Sequence, residues 1–273
     1  GLPCMRAFHS VVPASIMEFY PEIGVTRDVA SRPERSCKAI RYLFSVRYYF
    51  DEVTPDNLEP EGIDLPGFSY YDTQNYKNDY ALPMGFTFDT YVSRSQWETY
   101  SESDRCNLLL RALVLEDDAV ETYQKDMQKL PDAVHQMSDE DLLAECTERA
   151  KTACDSFTYN SKGFHATIST DHANLVFFSV PWDEGWSAEV NGKPVSIEKA
   201  DVGFMAVPVT AGDSEITFTY HTPGLKTGAL LSLGGLVLFA GYLTVAGIWN
   251  KRHPSPKAES VCCMDYSAEE TAN

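Results

Sequence analysis

The chain has 273 residues, 44% of them apolar, which is enough for one large domain or two small ones with a sizeable core. Forty acidic residues stand against 22 basic ones, a net charge of -18. A surface so negative repels nucleic acid and anionic lipid headgroups, which excludes a nucleic-acid-binding role and keeps a domain soluble outside a cell.

In chain order, residues 1–93 read as a mixed α/β section. Ile16, Phe19, Tyr20 and Ile23 fall at helical spacing, and Pro21 makes that helix short or broken. The run IRYLFSVRYYF predicts a helix end passing into a buried strand. A polar, proline-punctuated loop follows, DEVTPDNLEPEGIDLPG. The next stretch, GFSYYDTQNYKNDYALPMGFTFDTYV, is aromatic and strand-like, with Asn75 near a turn.

Residues 94–152 read as an acidic helical insertion. Ser101 with Asp104, and Ser138 with Asp141, resemble the capping box, with Asp in place of Glu. Leu109, Leu110, Leu113 and Val114 form one apolar stripe at helical spacing, and Leu142, Leu143 and Cys146 form another. Pro131 separates two of these helices.

Residues 153–224 predict an antiparallel β-sandwich. Leu175, Phe177 and Ser179 alternate with Val176, Phe178 and Val180, a strand buried on both faces. Trp186, Ala188 and Val190 lead into Asn191-Gly192, the pair a type I′ hairpin turn requires, and Val195 and Ile197 point inward on the return. Ile216, Phe218 and Tyr220 alternate with Glu215, Thr217 and Thr219. The last strand runs through Thr222-Pro223-Gly224 almost directly into the next element, so the sandwich is expected close to a bilayer.

That element spans 228–249, GALLSLGGLVLFAGYLTVAGIW, without a charge. At 1.5 Å per residue a helix of this length covers roughly 33 Å, enough for the hydrocarbon core. Only a helix satisfies its own backbone there as a single segment. Lys251, Arg252 and Lys257 follow, so the positive-inside rule places the tail 250–273 in the cytoplasm and the bulk of the chain outside. Gly228, Ser232, Gly234, Gly235, Ala240, Gly241 and Gly247 suit close approach to other membrane helices. The chain starts at Gly1 with neither initiator Met nor signal peptide, which leads to the expectation that upstream sequence performs translocation.

The seven cysteines show no zinc-finger spacing and no even framework before the anchor, where five are found. An odd number leaves at least one without a partner in the chain, and buried free thiols are the plainer expectation.

Several stretches taken together resemble the C-terminal region of the bacterial YfhO membrane protein family. They are RAFHSVVPASIMEFYPEIGVTRDVASRPE, ALPMGFTFDTYV, LLLRALVLED, VPWDEGWSAEVNGKPVSIEKADVGFMAVPV and YHTPGLKTGALLSLGG. The likeness covers nearly the whole chain in order; residues 116–152 and the tail after Lys251 match least. The resemblance implies a polytopic bacterial membrane protein akin to the C-type glycosyltransferases, using a lipid-phosphate-linked sugar to modify a cell-envelope polymer such as teichoic acid. In that superfamily the catalytic acid lies on an early outer loop, so no catalytic residue is carried over to this chain. The expectation is an accessory extracytoplasmic domain whose partners are upstream helices of the same protein, a polyprenyl-phosphate sugar and the envelope polymer. The alternative is a non-catalytic glycan- or partner-binding surface domain on a membrane anchor. An extracytoplasmic hydrolase would need convergent carboxylates in a cleft.

Three groups of residues carry candidate chemistry. In Trp182-Asp183-Glu184-Gly185-Trp186, two indoles and two carboxylates could stack on and hydrogen-bond to a sugar; the plainer reading is a turn whose tryptophans cap the sandwich core. Adjacent carboxylates diverge, so Asp183 and Glu184 do not suit a glycosidase pair. His9, Arg27 and Arg32 lie in a locally basic stretch that could meet a phosphate, against the plainer reading of internal ion pairs. His165, Asp171 and His172 match no tight metal motif, and no metal or cofactor is expected.

Overall fold

A computed structural model describes residues 12–25, 37–50, 63–72, 75–131 and 137–253. Two compact units are present, residues 1–221 and 222–273.

The first unit opens with α1 (Ala14–Glu22), which carries Pro21 in its last turn and buries Phe19 and Tyr20. Proline supplies no N–H and the helix stops within two residues, where Gly24 takes φ 72°. Helix α2 (Ala39–Leu43) precedes the strands β1 (Tyr48–Phe50), β2 (Phe68–Asp72) and β3 (Asn75–Asn78). Next come β4 (Phe86–Thr87), β5 (Thr90–Ser93), α3 (Arg94–Trp97), α4 (Glu102–Leu108), β6 (Leu113–Leu115), α5 (Asp117–Tyr123), β7 (Gln128–Lys129) and α6 (Asp139–Lys151). Ser138 and Asp141 complete the expected capping box on α6, and Ser101 accepts the Asp104 N–H at the start of α4. The chain then turns to strands: β8 (Ser156–Asn160), β9 (Gly163–Thr170), β10 (Asn174–Pro181), β11 (Trp186–Val190), β12 (Lys193–Val195), β13 (Glu198–Ala200), β14 (Phe204–Val209) and β15 (Gly212–Tyr220). The fold is α+β.

Three sheets result. The first is β1-β3-β2, antiparallel; the second is β4-β10-β14-β13-β6-β5-β7; the third is β12-β11-β15-β9-β8, antiparallel. In the second sheet β5 runs parallel to both β6 and β7, while β10, β14 and β13 pair antiparallel. The second sheet is a middle layer, and period-2 alternation along β10 and β14 shows why. Val176, Phe178, Met205, Val207 and Val209 face Phe164, Ala166, Ile168, Ile216 and Phe218 of the third sheet. Leu175, Phe177, Phe204 and Ala206 face the helices, where Phe19 meets Phe204 edge-on at 4.8 Å. Phe177, fully buried, contributes about 2–3 kcal/mol by its area alone. This is the two-faced burial expected of β10.

The Asn191-Gly192 turn is confirmed: φ values of 52° and 70° and pairing of Val190 with Lys193 define a two-residue I′ hairpin. Other expectations are corrected. Leu113 and Val114 do not continue a helix: α4 ends at Leu108, and Leu113–Leu115 is a strand at the heart of the second sheet. The segment from Leu108 to Leu115 is apolar and buried nearly throughout, so its periodicity could not separate the two. The strand after IRYLFSVR is present as β1 but is not buried; Phe50 is 62% exposed. Residues 94–152 are not purely helical, because β6 and β7 join strands from before and after them in one sheet.

Cysteines divide into two kinds. Cys146 and Cys154 are buried thiols, each pushed up to about 12 by burial first and then by neighbouring Glu145 or Asp155. Cys37 and Cys106, by contrast, form a disulfide with Cα atoms 5.4 Å apart, correcting the expectation of free thiols at those two positions. Cys4, Cys262 and Cys263 lie outside the described residues.

Among its described residues the second unit has one helix, α7 (Leu225–Arg252), with no residue buried. Its length and composition suffice to cross a membrane, and an apolar cylinder of this kind is stable against lipid rather than water.

Candidate functional site

The turn between β10 and β11 is built by its own backbone. The Trp182 N–H donates to Gly203 O at 2.9 Å, the Gly185 N–H to Asp183 Oδ1 at 2.8 Å, and the His221 N–H to Gly185 O at 2.9 Å. A Cβ on Gly185 would stand 2.5 Å from His221 O, so only glycine permits that approach. Trp182 packs against the core between the second and third sheets, and Lys199 Nζ stands 5.7 Å from its ring centre. Trp186 meets Phe164, Phe218 and Tyr220 edge-on at 5.6, 6.1 and 5.0 Å. Both indoles therefore spend ring surface on protein. What the turn offers to solvent is polar: exposed Glu184, half-buried Asp183 and the Tyr220 hydroxyl. The Tyr220 phenol is held above its ordinary value by desolvation, then by its hydrogen bond to Asp183 and the charges of Asp183 and Glu184.

His9, Arg27 and Arg32 lie outside the described residues. His165 Nε2 is 2.8 Å from Glu215 Oε1, a cross-strand pair between β9 and β15. Among the described residues no three potential ligands gather as a metal site.

Sequence reading missed a polar cluster beyond the carboxyl ends of the parallel strands β5 and β6. Glu22, the last residue of α1, receives Arg94 Nη2 at 2.7 Å, Trp97 Nε1 at 3.3 Å and Arg105 Nη1. Arg105 also donates to the carbonyls of Glu22, Trp97 and Glu98. Arg94 extends to Glu98 Oε1 at 3.1 Å. Glu116, just past β6, is pushed up by burial against the pull of Arg94 and Lys199, while Lys199 pairs with Glu18. Glu22 is separated from Arg94 and Arg105 by 72 and 83 positions, so no local pattern could have revealed the cluster. The side chains of Glu22, Arg94 and Arg105 are only 15–21% exposed. Glu22→Ala removes the carboxylate shared by two guanidinium groups, which keep Glu98 and the backbone carbonyls, and by an indole N–H, and is expected to cost about 2–3 kcal/mol in chemical unfolding. A loss below about 0.5 kcal/mol would show that water replaces the carboxylate.

A second missed feature is the β13–β14 turn, where Asp201 and Val202 take φ 45° and 66°, a region uncommon for a β-branched residue. Asp201 is fully buried. Its N–H donates to Val114 O at 2.9 Å and its Oδ1 accepts the Val114 N–H at 2.8 Å, extending the β6–β13 ladder with a side chain. Its Oδ2 is buried without a partner among the described residues, and burial raises the carboxyl to about 8, against the Val114 hydrogen bond that lowers it.

An α+β unit followed in sequence by an apolar helix of spanning length has the make-up of a membrane protein that carries a folded polar part. The comparisons narrow this: the family described as "Bacterial membrane protein YfhO" matches residues 1–140 and 129–232, and the chain belongs to that family. One relative, the uncharacterized protein YfhO of Bacillus subtilis strain 168, is 30% identical over 121 residues. That stretch is 44% of this chain and 13% of the relative, so the chain spans a small part of the length of the curated protein it matches. No solved structure matches the chain.

Proposed function

We propose that this chain is the extracytoplasmic accessory part of a polytopic membrane glycosyltransferase that uses a lipid-phosphate-linked sugar to modify a cell-envelope polymer. In this reading the catalytic core lies outside these 273 residues. The observation that carries it is the make-up of α7, an apolar helix of spanning length in which Gly228, Gly234, Gly235, Gly241 and Gly247 leave shallow grooves between the larger side chains. Such grooves suit partner helices better than lipid, which leucine serves equally well. Two features support the outward orientation. Lys251 and Arg252 end the helix, and a Cys37–Cys106 disulfide fits an oxidising compartment.

Within this reading we assign contact with the acceptor sugar to Trp182, Asp183 and Trp186, and recognition of the lipid phosphate to His9, Arg27 and Arg32, on the chemistry of those residue types alone. The test is made in an intact family protein. Replacing the residues corresponding to Gly234 and Gly241 by leucine is expected to leave membrane insertion intact and to lower the sugar content of the envelope polymer severalfold. Sugar content that stays at the parental level would point instead to a self-sufficient glycan- or partner-binding surface domain.

A further inference from the structure

A cleft of about 590 Å³ lies between the end of α5 and the β11–β12 hairpin, a volume within the range of small-molecule sites. Both walls are held by hydrogen bonds of their own. On the α5 side the N–H groups of Asp126 and Met127 donate to Tyr123 O at 3.0 and 3.2 Å, and the Gln128 N–H donates to Asp89 O at 2.8 Å. On the hairpin side the Asn191 N–H donates to Glu215 O and the Glu215 N–H to Asn191 Oδ1, each at 2.8 Å, which fixes the turn just before Lys193. Walls set in advance spare a ligand the cost of ordering them.

The floor is apolar in effect. Val190, Val209 and Tyr123 are buried there, and the Tyr123 hydroxyl is spent on Glu198 Oε1 at 2.8 Å. Buried Asn174 also lines the floor, but its amide is used within the fold: Nδ2 donates to Phe88 O at 3.0 Å and Oδ1 accepts the Leu175 N–H at 2.7 Å. An apolar body laid on this floor gains by removing its surface from water. The rim is charged. Lys125, just past α5, and Lys193, on β12, come from separate walls, and neither pairs with a carboxylate among the described residues. Asp126 is the one acidic residue of the lining, so two amines against one carboxylate leave the cleft net positive in a chain of net charge -18. A cation is repelled here and an anion attracted, the reverse of the chain as a whole.

We propose that this cleft binds a small organic anion, an apolar body that covers the floor and carries a phosphate or carboxylate drawn to Lys125 and Lys193. The proposal does not depend on the glycosyltransferase reading.

The test reads the two amines directly. The full chain in zwitterionic nanodiscs is acetylated at about 0.15 M salt, where distant exposed charges are screened, with and without 1-naphthyl phosphate, and each lysine is followed by mass spectrometry. The probe is expected to slow acetylation of Lys125 and Lys193 severalfold and to leave Lys162, exposed in the β8–β9 turn, unchanged. Inorganic phosphate, which lacks the apolar body, and 1-naphthol, which lacks the charge, are expected to protect neither at the same concentration. Lys125→Gln alters an exposed residue, and is expected to raise about tenfold the probe concentration that protects Lys193. Lys162→Gln makes the same change in net charge and is expected to leave that concentration where it was. Absent protection, equal protection of Lys162, or equal protection by inorganic phosphate or 1-naphthol overturns the proposal. So does protection of Lys193 at the original concentration in the Lys125→Gln variant.

Discussion

Between pH 5 and pH 8 the folded α+β unit is expected to lose about 4 kcal/mol of stability through Asp201 alone. Burial raises this carboxyl from 3.8 to about 8: among the described residues no cation pairs with it, and Val114 supplies the single hydrogen bond to its side chain. In the unfolded chain the group has already given up its proton at pH 5, while the folded state retains it. The unfolded state therefore binds fewer protons throughout this window, and unfolding becomes easier as pH rises. The contribution is complete below the unfolded pKa and is gone once pH passes the folded one. Asp201→Asn keeps an acceptor for the Val114 N–H but cannot ionise. Thermal unfolding of the two proteins at pH 5, 6.5 and 8 is expected to show the parent falling steeply and the variant staying comparatively flat. Parallel curves would mean that Asp201 does not titrate in this range.

Breaking the Cys37–Cys106 disulfide, by Cys37→Ser or by reduction, is expected to cost about 4 kcal/mol. The bond joins positions 69 apart, and closing so long a loop removes much of the freedom of the unfolded chain. It also fastens the start of α2 to α4, next to the point where Cys106 Sγ stands 3.7 Å from Ile23 O. Denaturant midpoints measured with and without reductant give the value directly. If reduction leaves the midpoint of the parent unchanged, the pair is not joined in solution. Cys146→Ser is a poor control because that thiol is buried in the core; the cleaner comparison is the Cys37→Ser variant with and without reductant, where no shift is expected.

The strands were legible where one periodicity acted alone. β11, the Asn191-Gly192 turn and β15 alternate cleanly because one face of the third sheet is solvated and the other buried. The caps on α4 and α6 were legible because Ser101 and Ser138 act on residues three positions away. β6 was misread as helix because a short strand buried on all sides has no polar face to betray its period. Of the candidate site, sequence found the turn at Trp182–Trp186 but not the orientation of its rings, which depends on Lys199, Phe164 and Phe218 from other strands. The Glu22 cluster and Asp201 escaped entirely. Each is made by residues brought together across 70 or more positions, Asp201 and Val114 being 87 apart.

The middle sheet also decides how the polypeptide can be divided. β4 hydrogen-bonds to β10, and β6 to β13, across stretches that sequence alone would separate. A shortened protein starting at the first residue of β8 would retain the third sheet and three of the seven strands of its partner. It would leave Leu175, Phe177, Phe204 and Ala206 facing water, and β10 without its β4 neighbour. That sticky surface favours aggregation over a smaller soluble module. Folding must accordingly wait for pairings between remote parts of the chain, which makes acquisition of the native state slow and all-or-none rather than stepwise along the sequence.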